Sequence, residues 1–482
     1  MVGIKRFGIH VPVYRLDANE ISMFWHKRPS RAGKKAVAGF DEDCITMATS
    51  AVIDCYKNVQ SCVNDGIDKI DLFCLSTTCS PYKEKQSAAI VAKACGVREN
   101  ALVVEFSGSL RSGSIALRLI GAALASGYFN EAVIVSSECR RGIPGSELEQ
   151  TLGDGAVAFV LSRSEGESLA VIEQVVSVYK SSTDFWRKDG DRYVRKTEQR
   201  FIDEAVFMPI MEKTIKELLE GGRFTPDDFS KVVIYGYSER VVNKLAQKIG
   251  FRSFQLEDNM FRETGNMGIP SAFLMLCCAL SSSKPGDLIL FATYGDGADA
   301  YVLRTTERVR ELSREGILRK LVNTIDISYA DYLKWHDIME VELPNLAPRL
   351  RPSVIAQWRR SEAVLALEGV KCIKCGTPQY SPIGQAIRVC VKCQAKDSFE
   401  PYRFSDKKGV LFTYSLDFLQ TGKNFPGVNG VIDFEDGGRL VCELTDCLPE
   451  QVQPGIAVEM TLRRFSEYET ITYFWKARPV RF

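Results

Sequence analysis

Four cysteines in two pairs carry the sharpest chemical signal in this 482-residue chain. Cys372-Ile-Lys-Cys375 and Cys390-Val-Lys-Cys393 are separated by 14 residues. Two Cys-x2-Cys knuckles at this separation can bring four thiolates into a tetrahedron around one ion. Lys374, Arg388 and Lys392 lie among them and help offset the charge of a four-thiolate site. Gly376 permits the tight turn after the first knuckle. Zn²⁺ is the leading reading, against an iron centre or disulfides. With all four positions taken by protein, no coordination site is left for water, so the ion would be structural.

Other reactive groups are scarce or buried in apolar sequence. Of the 15 cysteines, Cys44, Cys55, Cys62, Cys74 and the pair Cys277-Cys278 fall where a core is expected. That usage fits a reducing compartment better than a disulfide framework. Only His10, His26 and His336 could supply an imidazole, and His10 and His336 read as structural. In the stretch Asp184–Asp189, Trp186 offers a stacking surface and Arg187 and Lys188 phosphate contacts, or all belong to an ordinary aromatic-under-charge loop. The net charge of +1, from 62 basic and 61 acidic residues, argues against nucleic acid as a partner. No apolar run reaches 18 residues and the first six residues lack a signal-peptide plan. A cytoplasmic location without membrane contact is expected.

These residues must be positioned by elements that are legible in the pattern. Up to about residue 305, apolar runs alternate with helical periodicity. Strands are expected at 71–76, 102–106, 132–137, 156–161, 231–235 and 288–293, read as buried on both faces. Helices are expected at 45–57, 85–94, 114–126, 207–219, 241–249 and 269–282. The alternation predicts an α/β architecture. Residues 153–161 (GDGAVAFVL) repeat at 295–303 (GDGADAYVL), each read as a Gly-rich turn entering a strand. A repeat at this scale predicts a duplicated fold. Backbone N–H groups at Gly295 and Gly297 are candidate oxygen donors of the oxyanion type. Residues 305–365 read as a helical, partly exposed connector. From Cys372 onward, short strands between Gly, Pro and Asp turns predict a small all-β barrel. The expected units are 1–165, 166–350, 351–400 and 401–482.

Beyond the knuckles, the segments Gly409–Ser415, Leu440–Asp446 and Val452–Gly455 and a leading helix at 358–367 carry a resemblance. Residues 351–482 resemble the acyl-CoA-associated zinc-ribbon/OB-fold family (domain of unknown function 35). That resemblance implies acyl-CoA binding or bridging to a thiolase-fold subunit. Thr183–Gly190 with Tyr193, Thr225–Phe229, Gly265-Asn266, Lys284–Asp287, Thr293–Gly297 and Tyr329–Leu333 carry a second one. The first 350 residues resemble the hydroxymethylglutaryl-CoA synthases of the thiolase superfamily. The duplicated thiolase fold is thereby implied, together with a Cys nucleophile, a Glu acid/base and a His that activates the thioester.

Carried onto this sequence, the Cys position holds Leu110, the His position Gly236 and the Glu position Thr78; the Asn position is filled, by Asn266. Cys79 and Cys139 are the candidate replacements for the nucleophile. The leading expectation is an acyl-CoA-handling subunit of a thiolase or acyltransferase complex that binds a coenzyme A thioester without turning it over itself. It would pair with an active thiolase-fold subunit, form a homodimer, or do both. A self-sufficient acyltransferase with a relocated Cys, or a pure assembly scaffold, are the rivals.

Overall fold

The computed structural model describes residues 2–57, 66–220, 222–342, 353–381, 386–419, 426–467 and 470–480. The site rests on a nine-stranded mixed sheet. In chain order its strands are β1 (Gly3–His10), β2 (Leu72–Ser76), β3 (Leu102–Phe106), β4 (Glu131–Cys139), β5 (Asp154–Ser162), β6 (Ala170–Tyr179), β7 (Phe229–Ile234), β8 (Leu288–Tyr294) and β9 (Gly297–Thr305). Across the sheet they run β7-β8-β9-β6-β1-β5-β4-β2-β3.

The duplication is visible in that order. β1-β5-β4-β2 is joined by two antiparallel pairings and then a parallel one, and β6-β9-β8-β7 repeats the same sequence of pairings. The two copies of the repeated motif form β5 and β9. Helices α2 (Ser112–Ala125) and α3 (Ile269–Ser282) stand at matching places, before β4 and β8. Both halves thus bury one long apolar helix against the sheet, and α3 is buried from Ile269 to Leu280. The α/β assignment and every strand and helix expected in these halves are present.

Four expectations need correction. β3 is not buried on both faces: it forms the edge of the sheet, and Leu102 is exposed. Asp154-Gly155 is not a turn but the start of β5, where Cys139 pairs with Asp154. The stretch after residue 305 is more than an exposed connector. Its helix at Tyr329–Trp335 buries Tyr329, Tyr332, Leu333 and Trp335 against Tyr14 and Leu16. The helix expected at 358–367 breaks into Val354–Arg359 and Ser361–Val364, with Leu367 at φ +51° turning the chain into a strand at Glu368–Cys372. Cys62 lies outside the described residues.

The C-terminal strands β10 (Lys408–Asp417), β11 (Gly427–Phe434), β12 (Arg439–Leu444), β13 (Ala457–Glu467) and β14 (Ile471–Pro479) close a barrel in the order β10-β11-β12-β14-β13. The barrel is not a loose appendage. Helix α1 (Cys44–Asp54) and barrel residues Leu411, Val458, Leu462 and Trp475 belong to one continuous apolar core. Ion pairs cross the same boundary. Arg463, fully buried, meets Glu42 at 2.9 Å, Asp41 at 3.3 Å and Asp446 at 2.5 Å, and Lys476 meets Asp41 at 2.9 Å. His10 is drawn into this network, its Nε2 2.8 Å from Glu42. Burial lowers its pKa against the opposing pull of Glu42.

Removing one member of a buried ion network strands the others. Arg463→Met is therefore expected to lower the unfolding free energy by about 3–5 kcal/mol, read by urea denaturation. A change within experimental error would show that the network is not holding the barrel.

Candidate functional site

The parallel register of β2 and β4 aligns Ser76 with Ser136, which brings Thr78 opposite Glu138. The Thr78 N–H and hydroxyl both donate to the Glu138 carboxylate, at 2.8 and 2.7 Å, and the Cys79 thiol donates to it at 3.0 Å. The Arg187 guanidinium donates to the Thr78 carbonyl and stands 3.9 Å from the Cys79 sulfur. Cys44 donates to the Cys79 carbonyl at 3.2 Å, and the thiols of Cys139 and Cys79 interact. Thr78, Cys79, Cys139 and Arg187 are therefore gathered around Glu138, a residue that the sequence reading passed over. Its position at the end of an apolar strand was the available signal.

This cluster is poorly suited to ionise. Burial, and then Cys79, holds the Glu138 carboxyl well above the usual carboxylate range. The hydrogen bond with Cys139, and then burial, pushes the Cys79 thiol well above its ordinary value. Cys139 is raised in the same way through Cys44.

Leu110 lies in the loop before α2 and packs against the apolar core that α2 and α3 share. Beneath that loop a buried polar set holds the chain: Ser114 donates to Asp299 at 2.5 Å, Thr293 to Ser114 at 2.8 Å, and Arg111 to Asp299 at 3.3 Å. Gly295 supports the loop directly. Ser109 donates to its carbonyl at 3.0 Å, and a Cβ there would stand 2.9 Å from the Arg111 nitrogen. Gly297 sits in the β9–β6 pairing, where a Cβ would run into the Val178 carbonyl.

Gly236 follows β7 and is closed over. A Cβ at this position would lie 2.7 Å from Val242 and 2.8 Å from the Phe207 ring. Phe207, Tyr237, Tyr294 and Phe185 form an aromatic wall around it, with neighbouring centroids 4.2–6.2 Å apart. Asn266 is fixed next to it: its Oδ1 accepts from the Tyr235 hydroxyl at 3.0 Å and from the Gly268 N–H at 2.8 Å. A cavity of about 120 Å³ opens here, lined by Asn266, Arg140, Tyr237, Phe185, Lys196 and Phe261. Trp186 is half-buried in the two-residue strand beside it, so Phe185 rather than Trp186 faces the cavity. Leu110, Gly295 and Gly297 do not line it.

The cysteine quartet converges as its spacing predicts. All four Sγ atoms lie within 4.8 Å of one another, with Cys372–Cys393 at 3.6 Å and Cys375–Cys390 at 3.5 Å. Sulfurs held about 2.3 Å from a tetrahedral ion would be about 3.8 Å apart, so the set fits a metal. The two knuckles repeat one turn. Gly376 N–H donates to the Cys372 carbonyl at 2.8 Å and Gln394 N–H to that of Cys390 at 3.0 Å, with both turn residues at positive φ. Hydrogen bonds from Thr377 pull the Cys375 thiol down to about 6.

The thiol environment gives a direct test. Because Cys79 and Cys139 are held protonated, iodoacetamide at pH 7 is expected to alkylate each at least about tenfold more slowly than free cysteine. Labelling should accelerate only above the ordinary thiol range, near pH 9 and beyond. Peptide mapping of the native protein reads this, and rapid labelling at neutral pH would contradict it.

Comparison with known proteins agrees with this geometry. Residues 402–463 match the family described as the ChsH2 C-terminal OB-fold domain. Hydroxymethylglutaryl-CoA synthase of Aeropyrum pernix is 31% identical over 342 residues, covering 69% of this chain and 93% of that protein. The Picrophilus torridus enzyme is 28% identical over 351 residues, covering 70% of this chain and 98% of that protein. A crystal structure of HMG-CoA synthase complexed with CoA superposes with a TM-score of 0.62 at 18% identity, over 69% of this chain and 89% of that one. No helix among the described residues is long and apolar enough to cross a membrane. At 31% identity over 93% of the Aeropyrum pernix enzyme, the chain belongs to the hydroxymethylglutaryl-CoA synthase family.

Proposed function

We propose that this chain binds a coenzyme A thioester without turning it over, as a cytoplasmic subunit of a complex that carries out Claisen condensation, thiolysis or acyl transfer. The observation that carries this reading is the closure at Gly236. A Cβ here would lie 2.7 Å from Val242 and 2.8 Å from the Phe207 ring, so an imidazole would have to displace both side chains. Two further losses agree with it. Leu110 has no nucleophilic atom, and Thr78 spends both its donors on Glu138. The scaffold of acyl transfer is thus kept while the groups that would activate a thioester are replaced by packing. The chemistry would fall to a thiolase-fold partner, and a homodimer is part of the same proposal. The barrel supports a bridging role because its ChsH2-type fold is fastened by buried ion pairs to Asp41 and Glu42, just before α1.

CoA thioesters are the proposed ligand class because the relatives are named for HMG-CoA and one solved neighbour holds CoA. We assign Zn²⁺ to the Cys372, Cys375, Cys390 and Cys393 cluster, where it would brace two knuckles that have little apolar core of their own. Of the proposed substrate contacts Asn266, Gly295, Gly297, Trp186 and Arg187, the Gly295 N–H is already spent on the Gly297 carbonyl at 3.0 Å, and Gly295, Gly297, Trp186 and Arg187 lie off the cavity wall. Of these, Asn266 has the strongest support, from its place on the cavity wall.

One observation favours a second reading. The Cys79 thiol donates directly to a carboxylate at 3.0 Å, which is the contact a relocated nucleophile and base would need. The two readings separate on turnover. The purified chain given acetyl-CoA and acetoacetyl-CoA is expected to release no free CoA above the uncatalysed rate. Release that disappears in Cys79→Ala or Cys139→Ala would establish the second reading instead. Elemental analysis is expected to find about one zinc per chain. Removing it with a chelator should melt the 368–403 region in hydrogen exchange while leaving the nine-stranded sheet protected. A metal-free ribbon with unchanged protection would contradict the assignment.

A further inference from the structure

Three thiols stand in line at the ends of β2 and β4. The thiol of Cys139 interacts with those of both Cys79 and Cys44, and Cys44 also donates to the Cys79 carbonyl at 3.2 Å. The strand register explains the approach. Ser76 pairs with Ser136, so Cys79 and Cys139 each lie three residues beyond that pair. Neighbouring strands run about 4.8 Å apart. That spacing falls inside the Cα separation of about 4.4–6.8 Å that a disulfide spans.

Both backbones are pinned here. Cys139 ends β4 and pairs with Asp154 in the ladder to β5. The Cys79 N–H donates to the Thr77 hydroxyl at 3.0 Å, and its neighbour Thr78 is held by Glu138 and Arg187. Two thiols held side by side meet each other at a high effective concentration, which a free thiol in solution does not match. Strongly oxidising dithiols owe that property to a stabilised thiolate. Cys79 and Cys139 are instead held protonated, so nothing of that kind favours their reduced form. Both residues keep some exposed surface, whereas Cys44 is fully buried, so a soluble oxidant reaches the Cys79–Cys139 pair first.

We propose that Cys79 and Cys139 are a redox site, oxidised to an internal disulfide by a small-molecule disulfide of the glutathione class. One protein thiolate attacks the oxidant and releases one glutathione thiol; the second protein thiol then displaces the other. Two protein S–H bonds and the oxidant's S–S bond break. One protein S–S bond and two glutathione S–H bonds form, so protons and electrons balance. The product ties the ends of β2 and β4 together covalently.

Equilibration of the full-length, zinc-loaded chain in reduced and oxidised glutathione, about 1 mM each, tests this. Alkylation in denaturant, intact mass and peptide mapping follow. Most molecules are expected to have lost two hydrogens and to carry a Cys79–Cys139 bond. Only the thiolate attacks, and its fraction grows with each pH unit below the thiol pKa, so the bond should form about tenfold faster at pH 8 than at pH 7. Cys44→Ser should leave the bond in place, and Cys79→Ser or Cys139→Ser should abolish it. The wild-type map stands even if a variant misfolds. Full alkylation of Cys79 and Cys139 after equilibration, a glutathione retained on either as a mixed disulfide, or a bond from Cys139 to Cys44 would overturn the proposal.

Discussion

The contact of Phe207 and Val242 over Gly236 constrains this molecule more than any other local feature. The proposed reading takes this strand end as the place where the family's imidazole would stand. Here a methyl and an aromatic ring stand 2.7 and 2.8 Å from where a Cβ would lie, so a side chain would have to displace them. Phe207 is held in place by Tyr294, and Tyr237 meets both rings. Restoring a side chain at residue 236 would require the wall to move as a unit. Leucine at residue 110 and the Thr78–Glu138 hydrogen bonds follow the same logic. On the proposed reading, groups that would react have given way to groups that pack or pair, and the scaffold serves for binding.

What the scaffold retains is equally physical. The pseudo-symmetric sheet still delivers the ends of β4 and β7 and the start of α3 to one place, where Asn266 is clamped by Tyr235 and Gly268. The cavity that results is small, aromatic and positively charged. On the opposite side of β4, α1 shares its core with the barrel, and Arg463 closes an ion network with Asp41 and Glu42. Binding site and barrel are thus tied to the same central strands. A partner that grips the barrel would hold the binding site at a fixed distance and orientation.

Much of the fold was legible in the sequence because its strands are buried runs and its repeat is nearly verbatim. Residues 153–161 and 295–303 became equivalent strands, and 269–282 became a helix with the expected ends. The convergence of the four cysteines was legible because knuckle spacing alone fixes it. The failures have local causes. An apolar run such as 102–106 reads the same whether it sits at the centre or the edge of a sheet. The aromatics of 329–335 are spaced for burial, but their partners Tyr14 and Leu16 lie more than 300 residues earlier. Arg463 and Asp41 are 422 residues apart, so nothing near either one announces the pairing. The absence of a nucleophile at Leu110 could be read from the sequence. The closure at Gly236 and the proton-holding cluster around Glu138 could not, because each depends on side chains from distant strands and helices.

The central claim is that this fold holds an acyl thioester without accepting its acyl group. Intact-protein mass spectrometry after incubation with acetyl-CoA, longer acyl-CoAs and aromatic acyl-CoAs tests it most directly. The account predicts an unmodified mass for a folded, zinc-loaded chain that nevertheless binds the thioester. A stable acyl adduct, mapped to Cys79 or Cys139, would contradict it and show that a nucleophile survives in this site.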